Sequence, residues 1–306
     1  YYPDFNDKDF NEKIYKKKEF YLNQLPKVDI PKKDGYLDIE ALSKQICVRD
    51  DDNPDLILNP NQTFLRNFIS PQTPYNGLLL FHGTGVGKTC SSISIAEEFS
   101  EELLAYNKKI IILSNPSIKS NFMKNIFNIN AVKKGKPLYQ CTKDKYLKLC
   151  NIDIKDIKKI KYEELQARVN KKINEKYDFY GYQEFANRVE KIIQKANKLK
   201  INQRESYIRD KISDKFSNSV MIIDETHNIK QGDDMKKVPP ILEKILRYSE
   251  NMKLILLSAT PMFDNSTEIV WLLNLLLMND KRPLIKIKDI FDKGILTDKG
   301  KDLLIK

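Results

Sequence analysis

Several residue types that mark other protein classes are scarce in this sequence. The four cysteines in 306 residues (Cys47, Cys90, Cys141 and Cys150) form no C-x-x-C pair. They therefore suggest neither a zinc site nor a secreted disulfide framework, and reduced thiols in a reducing compartment are expected. Histidine occurs twice, at His82 and His227, each inside a stretch whose neighbours point to nucleotide chemistry. No apolar run approaches the ~20 residues of a membrane-spanning helix. The start of the chain, with Asp4, Asp7 and Asp9 among its lysines, lacks the layout of a secretion signal. A soluble intracellular protein with no membrane partner is the expectation. Arginine is scarce as well, eight against 45 lysines, which with abundant Asn and Ile suggests an AT-rich genome and says nothing of function. No N-K-x-D guanine signature occurs, which argues against a GTPase switch. The chain opens on Tyr1 and stops at Lys306 in a lysine-rich segment, and it reads as a piece of something longer.

Three strings stand out against this background. The apolar run Leu78-Leu79-Leu80-Phe81 leads into His82-Gly83-Thr84-Gly85-Val86-Gly87-Lys88-Thr89. Here a buried strand ends, glycines let the backbone curl so that its N–H groups converge, and a helix begins with its positive end facing the same space. Gly83, Thr84, Gly85, Val86 and Gly87 would line the phosphates, Lys88 would reach the β- and γ-phosphates, and the Thr89 hydroxyl would bind Mg²⁺. The G-x-x-x-x-G-K-[ST] pattern asks for glycine where His82 stands, and Gly83 supplies an additional flexible position. Later, Val220-Met221-Ile222-Ile223 runs into Asp224-Glu225-Thr226-His227. That order puts Asp224 at the C-terminal edge of a buried strand, where a cation beside the phosphates needs an oxygen ligand, and it puts Glu225 where a water could be polarised. A third buried run, Leu254-Ile255-Leu256-Leu257, ends in Ser258-Ala259-Thr260-Pro261. Helix capping would explain the two carboxylates alone but not the three strings in this order.

The rest of the chain organises around them. Residues 1–58 read as an N-terminal extension, with a helical stretch at 9–22 whose aromatics suit docking contacts, and a short helix at 37–45. An amphipathic helix at 62–69 precedes the first strand. A helix at 90–106 follows the phosphate loop, with Ile93, Ala96, Phe99 and Leu103 inward, and the strand Ile110-Ile111-Ile112-Leu113 comes next. Strand, helix and strand on short connections imply parallel pairing through right-handed crossovers. The fold class is therefore α/β, a RecA-like P-loop parallel sheet with helices on both faces. Residues 59–127 and 218–282 form this lobe, residues 128–217 read as a basic, mostly helical insertion, and residues 283–306 begin a linker. The net charge of +11 is local, because residues 128–217 hold 23 basic and 12 acidic residues. Such a surplus suits a nucleic-acid backbone and equally suits a solvated helical surface.

These strings resemble superfamily 2 DExH helicases and translocases, and within them the poxvirus-like helicase and early-transcription-factor ATPases of large DNA viruses. The string from Leu79 to Thr89 is similar to that family's phosphate loop, His82 included. Asp224-Glu225-Thr226-His227 is similar to its DExH box, and Ser258-Ala259-Thr260 to its SAT motif. The resemblance implies ATP and Mg²⁺ as cofactors, with Glu225 and Lys88 catalytic and Thr89 and Asp224 holding the metal. It further implies that Gln62 reads adenine, that His227, Ser258 and Thr260 couple hydrolysis to movement, and that Asn115 and Ser117 contact nucleic acid. Tyr180-Gly181-Tyr182-Gln183-Glu184-Phe185 is similar to an aromatic stretch before the DExH strand, with a core helix start as the plainer reading. The implied partners are DNA or RNA, a second RecA-like lobe of the same protein, and a viral transcription apparatus, in a virion or a host-cell cytoplasm. A chain without that lobe's transition-state arginine is expected to bind ATP and hydrolyse it poorly. Two functions share every motif: a helicase or translocase, and a transcription-factor subunit that uses ATP as a switch without separating strands.

Overall fold

The computed structural model describes residues 1–23, 58–81, 83, 87–135, 140–230, 235–262 and 265–305, together with the backbone of a short antiparallel pair, Lys32–Lys33 with Tyr36–Leu37. Five strands form the central sheet: β1 (Gly77–Phe81), β2 (Ile110–Leu113), β3 (Tyr177–Tyr180), β4 (Val220–Ile223) and β5 (Lys253–Ser258). Their order is β1-β5-β4-β2-β3 and every pairing is parallel. Parallel strands need crossovers that bring helices onto both faces, and so the inner strands are apolar on both sides. All residues of β2, β4 and β5 are buried. This is the RecA-like α/β architecture.

The principal helices are α1 (Pro60–Phe68), α2 (Lys88–Glu98), α3 (Tyr162–Lys176), α4 (Tyr182–Ala196), α5 (Ile201–Phe216), α6 (Val238–Tyr248) and α7 (Glu268–Asn279). Alternation along the strands divides the core in two. Ile110, Ile112, Val220, Ile222, Ile255 and Leu257 pack with Ile93 and Phe99 of the α2 region and with Leu165 and Val169 of α3. The intervening Ile111, Leu113, Met221, Ile223, Leu254 and Leu256 pack with Phe185 of α4, Ile212 of α5, Ile245 of α6 and Leu275 of α7. Each fully buried aliphatic side chain contributes about 1.5–3 kcal/mol, so the two layers hold the strand ends in fixed register.

Several local features differ from the sequence reading. The described residues of 128–217 form helices joined by turns, together with β3, which pairs with β2 from Ile110↔Tyr177 to Leu113↔Tyr180. Part of that stretch thus completes the sheet. The short strand carries no signal because Tyr177 follows α3 without a loop and Asp178 interrupts the apolar pattern. The single helix expected at 90–106 is two, since a second helix starts at Ser100 and the Ser100 hydroxyl donates to the Glu97 carbonyl at 2.8 Å, a local competitor of helical pairing. The stretch 9–22 forms two short helices, Phe10–Tyr15 and Lys18–Tyr21, and Phe5 and Phe10 dock against Tyr75, with ring centroids 5.0 and 5.6 Å away. The helix expected at 37–45 lies outside the described residues, apart from Leu37, whose backbone is in a strand. Residues 287–305 fold as two helices, Ile287–Ile290 and Asp298–Ile305, around the antiparallel pair Phe291–Asp292 and Ile295–Leu296.

The thiols also differ from expectation. Cys90 and Cys141, 51 residues apart, are joined in a disulfide with Cα atoms 5.2 Å apart, while Cys150 is free and buried. No sequence spacing announces this pair, because tertiary packing of the segment after the helix Lys119–Ile126 against α2 brings the two together. Among the described residues no helix is long and apolar enough to cross a membrane.

Candidate nucleotide site

The strand order sets β1, β5 and β4 side by side, so the strings that follow them meet at one sheet edge. After β1, Gly83 leads toward Gly87, which caps α2 with φ of 89°. This left-handed conformation favours glycine, and a Cβ there would sit 2.7 Å from Gln62 Nε2, so that amide would have to shift. Among the described residues no side chain caps α2 at Gly87, and an anion is favoured at such a helix start. Lys88, the first helical residue, is 9% exposed and its Nζ donates to the Gly83 carbonyl at 3.3 Å. Thr89 follows, half-buried. Of the expected phosphate-lining residues, Thr84, Gly85 and Val86 lie outside the described residues, as does His82.

Gln62 reaches this loop from α1. Asn59 and Gln62 form a capping box in which Asn59 Oδ1 accepts from the Gln62 N–H at 2.8 Å and Gln62 Oε1 accepts from the Asn59 N–H at 3.0 Å, ending α1 firmly. The Gln62 Nε2 donates to the Gly87 carbonyl at 3.5 Å. The same amide expected to read adenine therefore also ties α1 to the turn before Lys88.

From β4, Asp224 is 6% exposed. Burial first, and then the neighbouring Glu225 carboxylate, push its carboxyl up to about 6, with Lys88 pulling the other way. Cationic charge placed beside Asp224 would restore an ordinary carboxylate. Glu225 has φ of 44°, a left-handed conformation that costs a non-glycine residue about 1–2 kcal/mol. Such strain concentrates at functional sites. The turn is held on three sides. Thr226 Oγ1 donates to the carbonyls of Ile223 (3.1 Å) and Leu257 (3.2 Å), stitching β4 to β5, and the Tyr182 hydroxyl donates to the Asp224 carbonyl. Glu225 Oε2 accepts from the Ala259 N–H at 3.5 Å and lies 3.4 Å from His227 Nδ1. Burial raises the Tyr182 hydroxyl well above its ordinary value, which keeps it a donor.

His227 Nδ1 and the fully buried Ser258 Oγ are 3.0 Å apart. Thr260 is exposed, and its backbone N–H donates to the same Ser258 oxygen at 3.2 Å. The contact between the two strings thus runs through Ser258, with Thr260 behind it. Asn115 and Ser117 follow β2, on the other side of β4, and both are exposed. Asn115 Oδ1 accepts from the Ser117 N–H at 3.3 Å and its hydroxyl at 3.1 Å, an Asx-type cap on a short 3₁₀ turn. Tyr182 was missed as a site residue. Its string reads as an aromatic stretch or a core helix start, and only the tertiary placement of α4 beside β4 shows which atom it grips.

Residues 56–263 match the family described as type III restriction enzyme, res subunit. The chain belongs to that family. The match spans α1 through the Ser258–Thr260 string, the whole of the geometry described above, and the resemblance to superfamily 2 helicases holds with it. The chain is 33% identical over 291 residues, 90% of its length and 23% of the relative's, to a protein of Acanthamoeba polyphaga mimivirus whose name provisionally assigns it as an ATP-dependent RNA helicase. It is 31% identical over 237 residues, 74% of its length and 20% of the relative's, to a provisionally named helicase of Invertebrate iridescent virus 3. The early transcription factor large subunit homolog of African swine fever virus is 22% identical over 350 residues, 92% of this chain and 30% of that protein. The chain thus spans less than a third of the length of these three relatives.

Proposed function

We propose that the chain is the first motor lobe of an ATP-dependent helicase or translocase, acting on DNA or RNA together with a second RecA-like lobe. One arrangement carries the reading: Lys88, Asp224, Glu225, His227 and Ser258 stand together at the C-terminal edges of β1, β4 and β5, the edge at which open parallel sheets bind ligands. In this reading residues 59–127 and 218–282 form the lobe, β3 comes from the basic stretch 128–217, the described residues 1–23 of the N-terminal extension dock onto the lobe, and residues 283–306 lead toward the second lobe. Gly83 through Thr89 cradle the phosphates and Lys88 neutralises them. Gln62, already against Gly87, meets the adenine.

The donors at the edge suit Mg²⁺. A buried carboxylate, Asp224, and a hydroxyl, Thr89, are hard oxygen ligands of the kind that hold this ion through one or two protein groups together with phosphate. Bound there, Mg²⁺ supplies charge neutralisation on the phosphates. Glu225 accepts a proton from the attacking water, and the Ala259 N–H at its Oε2 keeps the carboxylate aimed. His227 and Ser258 then report the state of that carboxylate to the β5 string, while Asn115 and Ser117 present polar groups to a nucleic-acid strand at the same edge.

The likeness to an early transcription factor large subunit supports a second reading, an ATP-driven switch in a viral transcription apparatus. Strand displacement by the full-length protein separates the two. ATP-dependent release of the shorter strand of a partial duplex is expected. ATP turnover stimulated by nucleic acid without any displacement would favour the switch.

A further inference from the structure

The disulfide lies in a telling place. Cys90 is the third residue of α2, directly after Thr89 and two after Lys88. Cys141 belongs to a segment pinned to the helix Lys119–Ile126: the Cys141 N–H donates to the Asn125 carbonyl at 2.8 Å and Thr142 Oγ1 to the Ile126 carbonyl at 2.5 Å. That helix follows directly on the Asn115–Ser117 turn. The cross-link therefore joins the start of the phosphate-loop helix to the element behind the proposed strand-contacting turn.

The bond is also reachable. Neither cysteine is fully buried, and Cys141 lines a cavity of about 460 Å³ between α1, α2 and the segment 141–145. Arg66, Lys143 and Lys145 give this cavity cationic walls, with Glu97 and Glu98 among the other lining residues. Lys145 pairs with Glu97 at 2.5 Å and Arg66 lies 3.7 Å from Glu98. The Ser94 hydroxyl, one helical turn beyond Cys90, is buried without a hydrogen-bond partner and lines the same cavity. A small polar thiol fits a cavity lined by three cations and two carboxylates.

We propose that Cys90 and Cys141 form a reversible thiol–disulfide site, entered through this cavity by a small thiol, and that its state sets the affinity of the phosphate loop for ATP. The inference rests on the nucleotide reading above. A thiolate entering the cavity that Cys141 lines attacks the Cys141 sulfur, forming a mixed disulfide and breaking the bond to Cys90. Cys90 leaves as a thiolate, stabilised by its place in the first turn of α2, and takes a proton. A second thiolate attacks the mixed disulfide, releasing Cys141 as a thiolate that is then protonated, and the two small thiols depart as their disulfide. Two electrons pass from the small thiols to the protein, and an oxidised small thiol reverses each step. In the oxidised form Lys88 rests on the Gly83 carbonyl. Capturing phosphate requires Lys88 to leave that carbonyl, an adjustment of the first turn of α2 that a covalent link two residues beyond Lys88 resists.

The test uses this chain equilibrated with reduced or with oxidised glutathione, followed by peptide mapping without reductant and by calorimetric titration with ATP·Mg²⁺. The expected results are a Cys90–Cys141 linked peptide only in the oxidised sample and an ATP Kd at least threefold larger there, reversed by reduced glutathione. The variant Cys141→Ser should bind ATP with the reduced-form affinity under both conditions, and Cys150→Ser should keep the full response. Absence of the linked peptide after oxidation, equal Kd values in the two forms, or a Cys141→Ser variant that still responds would each overturn the proposal. If the fully reduced chain bound no ATP, the nucleotide reading would fail and the switch with it, whereas equal but measurable affinities would remove the switch alone.

Discussion

Replacing Glu97 tests how the nucleotide helix is anchored. This carboxylate sits on α2 with its side chain 9% exposed. It is met by Lys145 Nζ at 2.5 Å and Lys176 Nζ at 4.0 Å, and it accepts from the hydroxyls of Tyr146 at 2.8 Å and Tyr177 at 2.6 Å. One side chain thereby fastens α2 to the helix Lys145–Leu149, to the end of α3 and to the first residue of β3. Glu97→Ala leaves two buried hydroxyls and a partly buried ammonium without their acceptor. Each buried hydroxyl left without its acceptor costs about 1–3 kcal/mol, and the Lys145 pair, whose lysine is 36% exposed, adds about 1 kcal/mol at most, together a large share of a domain stability of about 5–15 kcal/mol. Glu97→Gln keeps an acceptor for the tyrosines and loses the charge, and the expected cost is about 1–3 kcal/mol. Urea unfolding followed by circular dichroism measures both. The pH dependence gives a second check. Burial alone would raise the Glu97 carboxyl, but Lys145, by charge and hydrogen bond, and then Tyr177 hold it below its ordinary 4.5. The stabilisation is therefore present above pH 4.5 and is lost as pH falls through the lower folded value. The gap between wild type and Glu97→Ala should narrow in acid. An Ala variant within 1 kcal/mol of wild type, or a gap that widens as pH falls, would refute the reasoning.

Other perturbations follow from the same geometry. Gly87→Ala should destabilise the lobe by about 1–2 kcal/mol from the left-handed backbone alone and displace Gln62, so a thermal midpoint equal to wild type would contradict the assignment of that turn. Glu225→Gln should retain ATP while full-length turnover falls about 10²–10⁴-fold, as steady-state phosphate release reads; turnover at the wild-type rate would move the base elsewhere. Ser258→Ala combined with Thr260→Ala should spare ATP hydrolysis in the full-length protein and abolish strand displacement, and equal losses of the two would make the string structural.

The sheet was legible because its inner strands are continuous apolar runs between helices of clear period, and the strand-end positions because the glycine, lysine, carboxylate and hydroxyl residues directly follow those runs. Gly83, Gly87, Lys88, Asp224, Glu225 and Ser258 could be read that way. What escaped depends on long-range contact. Tyr177–Tyr180 is an edge strand of four residues whose polar member breaks the pattern, Tyr182 acts through a neighbour 42 residues away, and Cys90 finds Cys141 across 51 residues. The Gln62 capping box had its signal in plain view, since Asn59 and Gln62 stand at the helix-start spacing. The capping box gives Gln62 a structural role beside the adenine contact proposed for it.

The central claim is that Gly83 through Thr89 form a working phosphate site governed by Lys88. Calorimetric titration of ATP·Mg²⁺ into the reduced chain and into its Lys88→Ala variant tests it directly. Removing the one lysine placed at the loop takes away charge-assisted bonds worth about 1.5–3 kcal/mol each, so binding should be measurable in the first and weakened at least tenfold in the second. Equal affinities in the two proteins would contradict the account.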